Sequence, residues 1–136
     1  MTASPTTLLA LATDVEAATG PDRELDARVW VATHPDDWLV LFGTAGAQDY
    51  VINSIEGGSL ALQPLTASVD AALGLMREVL QGRTLHTDEY LDGSGYSARL
   101  ANVDKDGWPL ATHHGRAPTL PLAIVAALLR AVAGEG

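Results

Sequence analysis

Apolar residues recur every three or four positions in four separate stretches of the chain, which is the spacing of one face of a helix. The stretches cover residues 6–18, 21 to about 33, 66–81 and 119–133, and each predicts a helix. Proline has no backbone N–H to satisfy, so we expect Pro21 to lie in the first turn of the second helix. Thr66 and Thr119 stand where hydroxyls cap helices, and we expect each to cap the helix that follows it.

The fourth of these helices has no polar side. Residues 122–132 are apolar almost all round, which predicts a helix buried on more than one side. A domain of this size has limited surface of its own against which to hide such a helix. We therefore expect a homo-oligomer, most simply a dimer.

Between the helices the pattern changes to that of strands. Residues 38–42, 50–52 and 59–62 are short runs of strand-forming residues, and Glu56-Gly57-Gly58 is the predicted turn between the last two. From 83 to 113 polar and apolar residues alternate, so even positions from 96 to 102 would share one face and odd positions from 97 to 103 the other. Residues 104–107 end in Asp-Gly, which supplies the positive φ angles of a tight reversal, and predict a hairpin turn.

These elements belong to one domain, residues 1–136. No internal repeat or low-complexity linker divides the chain, and its 136 residues suit a single core. Helices set beside hairpin-forming strands indicate an α+β fold in which helices pack on a mainly antiparallel sheet.

Charge and composition restrict the partners. A formal charge of -9 argues against a nucleic-acid polymer or an anionic membrane surface, because both are negative. The chain has no cysteine, which excludes disulfides and thiolate chemistry and suits a reducing compartment such as the cytoplasm. The N-terminus lacks the pattern of a signal peptide, and the longest apolar run, residues 122–129, is too short to span a membrane.

The most suggestive cluster is His113-His114-Gly115-Arg116, directly before the last helix. The first turn of a helix has unpaired N–H groups and the positive end of the dipole, which favour an anion such as phosphate. Arg116 is the residue we expect to contact that anion. The alternatives are that these residues only cover a helix end, or that Arg116 pairs with Asp88 or Glu89.

Arg99, Tyr90 and Tyr96 could join the same site if the hairpin brings them close. Arginine with aromatic rings is what nucleotide recognition needs, although the tyrosines could equally pack at the edge of the sheet. Adjacent histidines on an extended segment point to opposite sides, so His113 and His114 do not suit one metal ion.

No catalytic motif is present, and we expect a protein that is not an enzyme and needs no cofactor. Arg23 and Asp26 are neighbours on a helix surface, which favours ion-pair and capping roles over catalysis. Asp70, in the first turn of the third helix, suits the helix dipole. The acid pairs at 36–37 and 88–89 are read as solvated charge.

Three segments in order resemble the phage ABA-sandwich domain family, a group of small prophage-encoded proteins. They read EAATGPDRELDA at 16–27, LTASVDAAL at 65–73 and TLPLAIVAALLRA at 119–131. Leu65 departs from the aromatic residue that is usual there, and segment 36–64 diverges. The resemblance implies a sheet with helices on both faces, an α/β/α sandwich, and a phage origin, but no catalytic residues.

Two functions follow as hypotheses. The first is a phage-encoded, non-catalytic ligand-binding protein of the host cytoplasm, which sequesters a nucleotide-derived signalling molecule and so counters host defence. The second is a protein-interaction or assembly module that buries the last helix and strand 38–42 against a partner and binds no small ligand. The first needs a cavity lined by Arg, His and Tyr; the second needs a flat apolar patch.

Overall fold

Four helices and six strands make up the part of the chain that the computed structural model describes, which comprises residues 3–44, 47–54, 57–80 and 82–135. The helices are α1 (Pro5–Ala17), α2 (Arg23–Thr33), α3 (Val69–Val79) and α4 (Leu120–Glu135). The strands are β1 (Trp38–Thr44), β2 (Ala47–Asn53), β3 (Ser59–Ala61), β4 (Arg83–Tyr90), β5 (Gly95–Val103) and β6 (Pro109–Ala117). The predicted helices and strands are therefore all present, with ends shifted by a few residues.

Two of the predicted helix starts are wrong in detail. Asp22 caps α2 by accepting the N–H groups of Glu24 and Leu25, so Pro21 precedes the cap and lies outside the first turn. Ser68 caps α3, because its hydroxyl accepts the N–H of Ala71.

Neither of the two threonines that the sequence predicts as helix caps acts as one through its hydroxyl. The hydroxyl of Thr66 is within 2.7 Å of a carboxylate oxygen of Asp26 and accepts the N–H of Asp22, so it joins two segments rather than starting a helix. The carbonyl of Thr119 accepts the N–H of Ala123, but its buried hydroxyl has no partner among the described residues.

The strands form two antiparallel sheets of three, ordered β1-β2-β3 and β4-β5-β6. In the second sheet the predicted turn is confirmed: the N–H of Asp104 donates to the carbonyl of Trp108, and Gly107 has φ of 86°. In the first, Ser54 and Gly58 are joined by a backbone hydrogen bond; Glu56, part of the predicted turn, lies outside the described residues.

Helix α4 is the centre of the core. It packs against α1, α3, β5 and β6, and residues 122–129 are at most 1% exposed. Gly115 on β6 allows this close contact, because a Cβ there would lie 2.2 Å from the carbonyl oxygen of Ala123. The apolar helix is thus buried within one chain, and its composition no longer requires a partner subunit.

The predicted α+β class, with helices packed against antiparallel strands, is confirmed. The strands are divided between two sheets rather than joined in one. Helix α4 covers one face of the second sheet. The opposite face, called the outer face below, carries exposed polar side chains from all three strands.

Candidate functional site

The outer face of β4-β5-β6 is defined by strand alternation. Ala98, Leu100 and Gly115 are buried and face α4, so the residues on either side of them point the other way. The ladder then places ten residues on the outer face: Thr84, His86, Asp88, Tyr90, Ser97, Arg99, Ala101, Thr112, His114 and Arg116.

Three basic or imidazole side chains form one row across this face. His86 is directly opposite Arg99, and Arg99 is directly opposite His114. Directly opposite residues on neighbouring strands have Cβ atoms about 4.5–5.5 Å apart. All three are exposed, and the guanidinium of Arg99 makes no hydrogen bond or ion pair with any described residue. Arg99 is therefore available to a ligand.

Arg116 lies two residues after His114 on β6, and its guanidinium stacks on the ring of Tyr90. Its guanidinium carbon is 4.3 Å from the ring centroid of Tyr90, and its Nη2 donates to the hydroxyl of Ser94 at 3.3 Å. No ion pair joins it to Asp88 or Glu89 in the described ranges. A guanidinium stacked on a ring keeps its edge N–H groups free to meet an acceptor.

One acidic group lies close to Arg116. Hydrogen bonds from the side chain and N–H of Ser94, with a smaller contribution from the charge of Arg116, hold the pKa of Asp92 below its usual range. Asp92 therefore stays ionised beside the guanidinium. An anion is therefore less favoured on the side of Arg116 that faces Asp92.

The other two predicted site residues lie on the opposite side of the sheet. The hydroxyl of Tyr96 donates to the carboxylate of Glu89 at 3.1 Å, and this hydrogen bond and negative charge raise the pKa of Tyr96. His113 lies against Gly134 near the end of α4, where partial burial, followed by the positive charge of Arg83, lowers its pKa. The structure thus brings together Tyr90, Arg99, His114 and Arg116, but not Tyr96 or His113.

Sequence reasoning missed His86. The alternation of residues 83–90 was visible, but the row depends on the pairing of β4 with β5, which sets His86 opposite Arg99. Nothing in the local sequence fixes that pairing.

Sequence reasoning also missed the pair of Glu16 and Arg130, called the clamp below. The Arg130 guanidinium contacts both carboxylate oxygens of Glu16 and donates to the carbonyl of His114 at 2.8 Å. Glu16 in turn accepts the backbone N–H of Arg116 at 2.8 Å. A carboxylate of the chain itself therefore lies against this N–H of β6.

Asp26, 1% exposed, has a structural role. It accepts hydrogen bonds from the backbone N–H and hydroxyl of Thr66 and from the guanidinium of Arg23, each at 2.7 Å. Arg23 also donates to the carbonyl of Leu62. The ion pair of Arg23 with Asp26 is as predicted, but Asp26 is buried rather than on a helix surface, and the network ties α2 to the segment before α3.

A separate apolar groove lies between α1, α2 and the first sheet. It has a volume of about 810 Å³ and is lined by residues that include Leu11, Ala27, Val31, Leu39 and Tyr50. None of the six predicted site residues lines it.

No family model, curated protein or solved structure matches this chain. The resemblance to the phage ABA-sandwich family therefore stays a prediction that rests on its three segments. Among the residues with described structure, no helix has both the length and the apolar composition of a membrane span.

Proposed function

We propose that this chain is a non-catalytic binding protein whose outer face holds an anionic, nucleotide-like ligand. The observation that carries the proposal is the in-register row of His86, Arg99 and His114 beside Arg116 stacked on Tyr90. Guanidinium groups bind phosphate through paired N–H donors, and the exposed imidazoles of His86 and His114 offer ring faces on which a base can stack.

The charge of the whole chain supports a local site. At a net charge of -9, most of the surface repels an anion, so a ligand needs a place where positive groups gather. Each charge-assisted hydrogen bond contributes about 1.5–3 kcal/mol. Two arginines on adjacent strands are therefore enough for measurable binding.

The shape of the site limits the way in which it could sequester a ligand. The sequence predicts a cavity lined by Arg, His and Tyr for this function, but Arg99, His114 and Arg116 are exposed on an open face instead. We therefore expect the ligand to lie flat along the strands with one side in water. Such a platform suits a molecule with several phosphates better than a single mononucleotide, because more charges can be met at once.

The biological setting is part of the proposal. The resemblance to prophage-encoded proteins supports a phage-encoded protein acting in the host cytoplasm, and the lack of cysteine agrees with that compartment. In this setting a cyclic nucleotide that signals phage infection is the ligand that we propose. Binding without catalysis would lower its free concentration and so counter the defence.

Calorimetric titration of the full chain with cyclic di- and trinucleotides tests this function. We expect Arg99→Ala and Arg116→Ala each to weaken binding about tenfold or more, through loss of one charge-assisted contact. Arg77→Ala is the matched control, because Arg77 is exposed on α3 and its loss changes the net charge equally. Binding by none of these ligands, or an equal loss with Arg77→Ala, would contradict the proposal.

The second candidate is an interaction module, favoured by the apolar groove between α1 and α2. The last helix cannot serve as the contact surface, since α4 is buried in its own chain. Val31, 43% exposed at the groove, is the residue to change. If a host protein is retained by the wild type and by Arg99→Ala but not by Val31→Asp, the interaction module is the better function.

A further inference from the structure

The two edges of the β4-β5-β6 sheet differ in how the rest of the chain meets them. At the β6 edge, the clamp satisfies the N–H of Arg116 and the carbonyl of His114. At the β4 edge, no strand of the described structure follows in the sheet order. An edge strand with unpaired backbone groups is a template for another strand.

The clamp also shows which backbone groups of β5 face β4. Successive residues of an antiparallel strand direct their N–H and C=O groups to opposite neighbours. The clamp bonds the C=O of His114 and the N–H of Arg116, so the backbone groups of these two residues point away from β5. The odd residues of β6, such as Gly115, therefore bond to β5, and their partners there are even residues, such as Ala98. The odd residues of β5, such as Arg99, therefore bond to β4.

The same alternation identifies the open groups on β4. Arg99 is paired with His86, so the even residues of β4 bond to β5. The odd residues, which include Leu85, Thr87 and Glu89, direct their backbone groups to the open edge. In the described structure, no hydrogen bond from outside the sheet reaches the backbone of Leu85, Thr87 or Glu89.

We propose that a second copy of this chain pairs with β4 edge to edge, which joins two three-stranded sheets into one of six strands. A twofold axis perpendicular to the sheet sets β4 antiparallel to itself and keeps both outer faces on the same side. Residues that share a face must then lie opposite each other, so odd positions pair with odd positions.

One register satisfies both charge and hydrogen bonding. With Arg83 opposite Glu89 of the second copy, Leu85 is opposite Thr87 of the second copy, so the open backbone groups of Leu85, Thr87 and Glu89 all meet the second strand. Two pairs of opposite charge form, which favours this partner. Arg83 has contacts in its own chain, but its five donors serve more than one acceptor.

The neighbouring register is poorer. A shift of two positions sets Thr87 opposite Thr87 of the second copy and Leu85 opposite Glu89 of the second copy. Arg83 then lies beyond the end of the paired segment, so both opposite-charge pairs are lost. The shift in the other direction sets Arg83 opposite Thr87 of the second copy and leaves Glu89 beyond the end, with the same loss. The first register is the one that we assign.

The dimer would also extend the outer face. In the assigned register His86 lies next to His86 of the second copy. The row of His86, Arg99 and His114 in one copy therefore continues into the same row of the other. This consequence rests on the proposed function, whereas the dimer itself does not. A long polyphosphate ligand would then bind across the axis.

The oligomeric state tests the proposal directly. Light scattering after gel filtration should give the wild type twice the chain mass of 14.2 kDa. Thr87→Pro removes an N–H that points to the open edge and leaves the bonds to β5 in place, so it should raise the dimer dissociation constant at least about tenfold. Thr87→Ala is the control and should stay dimeric. A wild type that stays monomeric at millimolar concentration overturns the proposal.

Charge exchange tests the register. Arg83→Glu and Glu89→Arg should each weaken the dimer, and the double variant that carries both changes should restore it. A dimer that none of these variants weakens, or a double variant no better than the single ones, overturns the assigned register.

Amide exchange needs no variant and so does not depend on whether one folds. In the wild-type dimer, the amides of Leu85 and Thr87 should exchange as slowly as that of His86, which is bonded to β5. Fast exchange at Leu85 and Thr87 in a dimeric sample overturns the edge contact. Nucleotide titration of Thr87→Pro separates the two proposals, because a monomer that still binds supports the outer face alone.

Discussion

Glu16 and Arg130, which lie 114 positions apart in the chain, form an ion pair against the edge of β6. Their side chains are 24% and 27% exposed, so the pair is partly shielded from water. Each also bonds the backbone of β6, Glu16 at Arg116 and Arg130 at His114. The pair thus joins α1, α4 and the sheet, and it satisfies backbone groups that would otherwise be open to another strand.

We expect Glu16→Ala to lower the free energy of unfolding by about 1–3 kcal/mol, because it leaves a partly buried guanidinium and a backbone N–H without their acceptor. Urea denaturation measures the change. Asp14→Ala is the control on the same helix, since the ion pair of Asp14 with Arg28 is exposed and should contribute about 1 kcal/mol or less. Equal losses in the two variants would show that the clamp is no stronger than a surface pair.

The clamp should also make stability depend on pH in acid. The Arg130 guanidinium, followed by the N–H of Arg116, holds the pKa of Glu16 below its ordinary value of 4.5. Above pH 4.5, Glu16 is ionised in both the folded and the unfolded chain, and the clamp contributes fully to the free energy of unfolding. As the pH falls from 4.5 through the lower pKa of the folded chain, the unfolded chain takes up the proton first, and stability is lost.

Glu16→Gln removes this titration. We expect its unfolding free energy to vary less with pH below 4.5 than that of the wild type, and urea denaturation at a series of pH values measures it. Arg130→Gln removes the main cause of the lowered pKa of Glu16, so its unfolding free energy should also vary less with pH below 4.5. If both variants keep the acid dependence of the wild type, other carboxylates are responsible.

The local sequence predicted the helices and strands well, but it predicted the contacts between distant segments poorly. The helical spacing of Val69, Leu73 and Met76 and the Asp-Gly turn at 106–107 depend on residues close in the chain, and the structure has both features. The clamp and the row of His86 with Arg99 depend on sheet register and on contacts between distant segments. No spacing in the sequence encodes those.

The misplaced caps have the same physical origin. Thr66 is a residue type that caps helices and lies three positions before α3, but its hydroxyl bonds instead to Asp26, 40 positions away in the sequence. Ser68 was then the nearer hydroxyl to the first turn of the helix. A tertiary contact thus overrode a local preference that the sequence alone showed.

Asp26→Ala should destabilise the fold by about 3–5 kcal/mol, because it removes the acceptor for Arg23 and for two donors of Thr66 from a buried site. Thermal and urea unfolding would show this loss. Glu24→Ala removes the same charge from an exposed position two residues away on α2 and should cost much less. A small effect of Asp26→Ala would mean that water replaces the carboxylate.

Gly115→Ala tests the contact between α4 and β6. The added Cβ would lie 2.2 Å from a backbone oxygen and 2.6 Å from a backbone nitrogen of the helix, so the helix must shift. Overpacking of this kind costs about 1–3 kcal/mol. Gly74→Ala, which has open space around its Cβ on α3, is the control and should not destabilise. Equal stability of both variants would contradict the close packing described above.

The stacking of Arg116 on Tyr90 should matter to ligand binding rather than to folding. Because the ring fixes the guanidinium before a ligand arrives, less side-chain freedom is lost on binding. Tyr90→Phe retains the ring and should leave nucleotide affinity within about twofold, whereas Tyr90→Leu should weaken it about threefold to tenfold. Calorimetric titration measures both, and circular dichroism should show the same fold in each. If Tyr90→Leu binds as tightly as the wild type while Arg116→Ala does not, Arg116 acts without the ring, and its position on the outer face comes from Ser94 alone.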